Sequence, residues 1–591
     1  MRIEASRLPA PHGWGKSAIH LAAAYVLVLL WATQVCAQPV ERNLPPAPTT
    51  PPTIIAAPPL PGSINDDRSL GARLSTIVLL GPTSVIEPEP IASGVETQAV
   101  NRLDRTGVRQ KLTRFIGRTI SRKLISQIET AIVREYRRQG FPFVEVSTPE
   151  QEVTKGVLQI RVVEFRIGKL VVTHASARQA AYIRRQVRTR PGDEIDSRTL
   201  AQDLDWLNRY PYRTVAPTFS SGDALGETDL DLAATWRRPW SVNAGYANSG
   251  SPLSGWDRYF VGGSVSGHFL TDVFLSAQVT GSPNFWATRW RFFDDDHPQY
   301  ESAAGRLVVA TAPRQDVELT LNAVETNEPV TPFVIRQDTV EATLGYRSAL
   351  SNLLPLPGDI IDGFEISRQA RYTFFGGVNV LHDKVDIFQL YGEWSNKWSD
   401  RFGALSLDLS AHGSPGGFDE FNTAAPVTDF TNGRVTSAAY VYAEANVVRQ
   451  TLLPGGFSLL TQFNGQYADR PIPDSQQIEL GGQTAVRGYT LDDGAWDEGV
   501  VLRNELHAPL LPLVRGGPAP IDLDAMVFAD AGYGHDDGIG GDVRMASIGI
   551  GANAQLGALA IASVDVSRPL TNAKITRAGA DRLDVRLTIA Y

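Results

Sequence analysis

Cysteine is almost absent: Cys36 is the only one in 591 residues. A disulfide framework and cysteine-ligated zinc are therefore excluded. Beyond the N-terminal region no window approaches about 18 consecutive apolar residues, so no helix spans a bilayer. Positive charge is not in excess either, since the formal net charge is -9. Nothing in the whole-chain balance calls for nucleic acid. The basic stretch from Arg102 to Arg138 lacks a base-stacking aromatic pattern and reads as a solvated helix face.

Catalytic signatures are missing as well. The chain has no G-x-x-x-x-G-K-[ST], no G-x-S-x-G and no H-E-x-x-H, and its 9 histidines show no paired metal spacing. Gly549 to Ala554 fits G-x-G-x-x-A but lies in an alternating segment with no helix behind it, so it is not a dinucleotide site. The acidic runs Asp294–Asp296 and Asp536–Asp537 read as solvated loops. No catalytic residue, cofactor site or metal site is assigned.

What is present begins at the N-terminus. Arg2, Arg7 and Lys16 precede the apolar run from Ala18 to Trp31, and Val35-Cys36-Ala37 leads to Gln38. That order of charge, apolar run and small residues is a secretory signal peptide over residues 1–37, and the run is short of the ~20 residues of a spanning helix. Gln34-Val35 before Cys36 makes a poor lipobox. Removal of the leader leaves an exported chain without thiols.

Residues 38–71 are proline-rich and read as an extended linker. Ser75 to Leu80 reads as a strand. From Arg118 to Gln139, apolar Ile120, Leu124, Ile128, Ile132 and Tyr136 recur every four positions, predicting a helix that Gly140 terminates. Phe141–Val146 and Gly156–Val163 follow as strands. A second unit repeats the order: a strand over Ile167–Thr173, a helix with Leu200, Leu204 and Leu207 capped by Ser197, and strands over Tyr212–Phe219 and Thr228–Ala234. From about Trp240 the pattern changes to alternation. Leu275, Ala277 and Val279 alternate with Ser276, Gln278 and Thr280, and the last strand ends on Tyr591. Lipid cannot hydrogen-bond a backbone, so strands there must close on themselves. At about 22 residues per strand and connection, residues 239–591 predict a transmembrane β-barrel of about 16 antiparallel strands.

The chain resembles the outer-membrane transporters of two-partner secretion, the ShlB/FhaC/HecB type within the BamA superfamily. Gly140-Phe141, Pro149-Glu150-Gln151 and the stretch Gly156 to Glu164 look like the family's first POTRA domain (72–164); Leu207-Asn208-Arg209 and Gly226 to Leu230 look like the second (165–238). Asn248-Ser249-Gly250, Gly255 and Asp272 are similar to its first barrel hairpin. Leu480-Gly481-Gly482, Val486-Arg487-Gly488-Tyr489 and Asn504-Glu505-Leu506 are similar to the superfamily's inward-folded loop and the strand after it, and Phe528-Ala529-Asp530-Ala531-Gly532 to its F-x-D-x-G strand.

The resemblance implies an outer-membrane protein of a Gram-negative bacterium with its POTRA domains in the periplasm. It implies a contact between Arg487 and Asp530 that locks the pore loop, and a terminal Tyr591 read by the barrel-assembly machinery. The implied partners are a secreted β-helical exoprotein and outer-membrane lipid, with no nucleic acid. Alternative functions are a membrane-protein insertase, which typically has more POTRA modules, and a passive porin. One departure is visible: residues 38–74 have no helical periodicity where members of the family can carry a plug helix.

Overall fold

A computed structural model describes residues 40–43, 53, 55–87, 94–100, 106–267, 272–287, 292, 297–515, 520–538 and 541–591. The expected signal peptide and the run Asp294–Asp296 lie outside the described residues.

In the first module, β1 (Thr76–Leu80), β2 (Gly94–Gln98), β3 (Val144–Ser147) and β4 (Val157–Glu164) form one sheet in the order β2-β1-β4-β3. The helix Arg122–Gln139 covers it, burying Leu124, Ile128, Ile132 and Tyr136. It begins at Arg122, four residues later than the periodicity suggests, because the Ser121 side chain caps it by accepting from the Leu124 N–H. It ends at Gly140, whose φ of 96° is the left-handed conformation that closes a helix. Pro142 has no N–H for a ladder, and β3 starts only at Val144.

The second module carries β5 (Arg166–Thr173), β6 (Arg213–Ser221) and β7 (Glu227–Trp236) in the order β5-β7-β6, with helices Ala177–Gln186 and Ser197–Leu207. The cap of the latter is Asp196, not Ser197: the Asp196 carboxylate accepts from the Arg198 and Thr199 N–H groups. The Ser197 hydroxyl instead donates to the Gly140 carbonyl at 2.9 Å, tying the second module to the end of the first module's helix.

The described part of the linker is not free. Ile55 packs on the core of the second module, the Ser126 hydroxyl donates to the Gly62 carbonyl, and Lys123 N–H donates to Asp66 O.

Beyond Trp240, sixteen antiparallel strands close into a barrel. The short strand Leu511–Val514 continues the path of Glu498–His507, and both pair with Ile521–Asp536. Burial is inverted relative to a soluble protein: Leu275 is 44% exposed on the outside, whereas Ser276 and Thr280 are buried inside. Apolar side chains facing outward in every second position form the surface that lipid requires. The last strand, Arg582–Ala590, pairs with the first, Trp240–Ala247, and this ladder closes the wall.

Candidate functional site: the loop folded into the barrel lumen

Residues 469–497 join the strands Ser458–Ala468 and Glu498–His507 and fold inward. Near the loop's inner end stands Arg487, whose side chain is 1% exposed. Its Nε donates to Asp530 Oδ2 at 2.7 Å and its Nη2 to Asp530 Oδ1 at 2.9 Å. The Arg487 backbone N–H adds a third bond to the same carboxylate at 3.2 Å. Two parallel guanidinium bonds fix orientation as well as charge, which a lysine ammonium would not do. A second carboxylate completes the arrangement, with Glu505 Oε1 lying 2.9 Å from Arg487 Nη1. The guanidinium carbon stands 3.5 Å from the centroid of the Phe528 ring, so one face of the cation rests on an aromatic surface.

Strand alternation explains why these residues meet. Phe528, Asp530 and Gly532 occupy every second position of Ile521–Asp536 and are buried toward the lumen, while Val527 and Tyr533 face outward. Glycine at 532 is required by proximity: a Cβ there would come within 2.9 Å of Val486 Cγ2. Gly488 has φ of 90°, and a Cβ would press on Pro569 and Ser567 at 3.1 Å, so the turn after Arg487 needs glycine for both conformation and space. Val486 and Tyr489 are fully buried with Leu480 and Met545. The Tyr489 hydroxyl accepts the Thr571 N–H at 3.2 Å and reaches the Thr571 and Ala546 carbonyls at 2.9 and 3.0 Å. The structure thus gathers Val486, Arg487, Gly488, Tyr489, Phe528, Asp530 and Gly532 at one place on the lumen wall. Glu505, from the motif Asn504-Glu505-Leu506 on the strand after the loop, joins them.

Tyr591 lies elsewhere, on the closing ladder. Its N–H donates to Val242 O at 2.8 Å, and its ring stands 4.1 Å from the Arg238 guanidinium.

Two arrangements leave no signal in the sequence. The described residues Val40–Asn43, from the start of the linker, sit inside the barrel. Arg42 donates from Nε and Nη2 to Glu341 at 2.8 and 2.7 Å, and Arg258 Nη2 donates to Glu41 Oε2 at 2.7 Å. Asp272, in the turn between the barrel strands Arg258–Ser266 and Val273–Gly281, is buried under the second module. It accepts from Arg213 Nη1 at 2.7 Å, from the Tyr212 hydroxyl at 2.5 Å and from the Tyr182 hydroxyl. Among the described residues no group of three His, Cys, Asp or Glu side chains is placed to hold a metal.

Comparison with known proteins adds independent findings. Residues 363–554 match the family model of the haemolysin secretion/activation protein ShlB/FhaC/HecB, and residues 91–164 match the ShlB-type POTRA domain. The outer membrane transporter CdiB-2 of Burkholderia pseudomallei is 24% identical over 76% of this chain and 79% of its own length. The heme/hemopexin transporter protein HuxB of Haemophilus influenzae is 22% identical over 78% of this chain and 80% of its own. In fold, the chain is similar to the solved structure of CdiB from Escherichia coli, with a TM-score of 0.63 at 15% identity over 98% of both chains.

Proposed function

We propose that this chain, which belongs to the haemolysin secretion/activation family ShlB/FhaC/HecB and is an outer-membrane protein transporter, captures its partner as an unfolded exoprotein on its POTRA modules and threads it through the barrel. The observation that carries this reading is the placement of two modules with open sheet edges in series before a closed barrel, the second seated on the barrel wall. The sheet order leaves β2 and β3 at the edges of the first module and β5 and β6 at the edges of the second. An edge strand offers unpaired N–H and C=O groups, so it binds an extended chain through the backbone without demanding one sequence.

Export then needs the lumen cleared, because the inward loop stands in the path. The Arg487 contact to Asp530 is the lock that holds the loop, and capture of the client at the mouth favours its release. The client's own folding outside, strand on strand, draws the chain through without a nucleotide. Outer-membrane lipid contacts the apolar band of the wall, and the barrel-assembly machinery reads the terminal strand that ends at Tyr591.

Deleting this chain from its host and following the exoproteins in the medium tests the reading. Loss of one large β-helical exoprotein, restored by the intact chain, is the expected outcome. An unchanged medium rejects the reading. A client stripped of its foldable passenger but still exported at full rate rejects the driving force alone.

A further inference from the structure

The inward loop is held at a second place, far in sequence from its tip. At its return to the wall stands Asp497, whose side chain is completely buried. Its Oδ1 accepts from Arg434 Nη1 at 2.9 Å, from the Ile472 N–H at 3.0 Å and from Gln477 Nε2 at 3.0 Å; its Oδ2 accepts from the Asp537 N–H at 3.2 Å. Three of these donors come from loop 469–497 itself or the neighbouring hairpin. The fourth does not. Arg434 belongs to the preceding extracellular loop, residues 415–439, and its side chain is 7% exposed. It also bonds Asp474 and the Ile472 carbonyl.

The loop that supplies Arg434 is itself braced against the wall. Its short helix Ala424–Phe430 buries Val427 and Phe430 with Val435, Ala438 and the wall residue Val385, and the Arg371 guanidinium lies 4.9 Å from the Phe430 ring. Overhead, a Cβ at Gly538 would collide with the Arg434 side chain. One guanidinium therefore joins two extracellular loops and touches a third. A buried cation held between carboxylates of a different loop is an expensive way to fold either loop separately, since desolvation opposes it and a well-packed apolar contact would serve as well. It has a distinct consequence: release of Arg487 at the tip does not free the loop while Arg434 holds the root.

We propose that Arg434 is a positioning residue for export, a second latch that makes loops 415–439 and 469–497 move as one gate, so that the path opens only when the bond from Arg434 to Asp497 parts. A third carboxylate, Asp536, has an oxygen 3.9 Å from Arg434 Nη1 and gives the cation a neighbouring position to move toward. The proposal rests on the export reading above and adds the gate's outer anchor.

The chain's shortage of thiols makes the test clean, since Cys36 is the only natural one. The full chain carrying Arg434→Cys and Asp497→Cys is bridged in cells by a thiol reagent with a reducible spacer, and export of the partner is measured before and after reduction. The expected result is export lowered at least about tenfold while bridged and restored by reducing the spacer, as for a two-state gate held in one state. Equal export with the bridge intact overturns the proposal. Arg434→Ala and Arg434→Lys, reconstituted in planar bilayers, give the second measurement. With each placed in the Arg487→Ala background, ion conductance raised by alanine at 434 above that of Arg487→Ala alone, and partly returned by lysine, supports the latch, and conductance equal to that of Arg487→Ala alone in both overturns it. Absence of export by the unmodified chain would instead count against the export reading.

Discussion

Arg487 is held by two carboxylates of unequal importance, and that asymmetry sets what its variants should do. Removing one member of a buried pair costs about 3–5 kcal/mol because the other charge is stranded, and a water-lined lumen reduces the figure. Asp530→Ala leaves the guanidinium with Glu505, whereas Arg487→Ala strands Asp530 and leaves Glu505 with Arg503 alone as its arginine partner. Both should lower export with barrel insertion largely intact, because the unpinned loop is still held at its root by Arg434 and stays in the lumen without one defined position; Arg487→Ala should lower it more than Asp530→Ala, and Arg487→Lys should rescue only in part. Heat-modifiable mobility of the folded barrel, measured beside export, separates the effects; normal export by both alanine variants would reject the lock. At this scale the sequence was informative where a motif carries the residue, as at Arg487 and Asp530. It was silent about Arg42 and Glu341, which are 299 residues apart and meet only across a closed lumen. No local period encodes such a pair.

Single elements show the same division. Strand alternation was legible because lipid and lumen impose opposite chemistry on successive residues, and that period reaches the strand number. The helix Ala177–Gln186 escaped because its buried face offers few apolar side chains, chiefly Ala180 and Ile183. β2 escaped because one apolar residue, Val95, is all that marks it. The helix Arg122–Gln139 was legible, yet its charge arrangement was not. Glu135 lies near a helix C-terminus, where the dipole disfavours a carboxylate. The Arg138 hydrogen bond, helped by Gln139 and Lys111, holds its carboxyl down at about 2, below the usual 4.5. A carboxyl depressed on folding stabilises the folded state above its unfolded pKa, and that contribution disappears as pH falls through the folded value. Amide exchange over 122–139, corrected for intrinsic rates, should therefore be faster in Glu135→Gln than in the natural chain at pH 7. The difference should close as pH drops from about 4.5 to about 2; a difference that does not change with pH would refute the clamp. The terminal strand makes a separate expectation. Deleting Tyr591 removes its two backbone bonds with Val242 and its ring contacts with Trp240 and Arg238. The amount of folded barrel in the outer membrane should fall, while export per folded barrel stays constant. An undiminished barrel level would remove Tyr591 from assembly.

For the whole molecule, the question is how a captured chain is delivered to the pore, and the seat of the second module on the barrel bears on it. Arg213 and Asp272 are both about fully buried, and neighbouring turns add further bonds: Arg314 donates from its backbone and side chain to Gln186, and Arg209 pairs with Asp359. The module is thus held across several periplasmic turns of the wall, which fixes its sheet edges relative to the lumen. That two modules precede a barrel was legible from the change of period near Trp240. Their docking was not, because it depends on turns brought together only by closure. In Arg213→Ala the Asp272 carboxylate keeps the Tyr182 and Tyr212 hydroxyls, so the loss should fall below the ~3–5 kcal/mol of a stranded ion. Adding Tyr182→Phe and Tyr212→Phe takes away those donors and should bring the full cost. If rigid seating matters for delivery, export should fall stepwise from single to triple variant, and protease cleavage near residues 237–239 should rise in parallel. The barrel's heat-modifiable mobility should not change. Loosened modules that still export at the natural rate would mean that capture needs only a tether, and the docked arrangement would then serve assembly of the barrel rather than passage of the client.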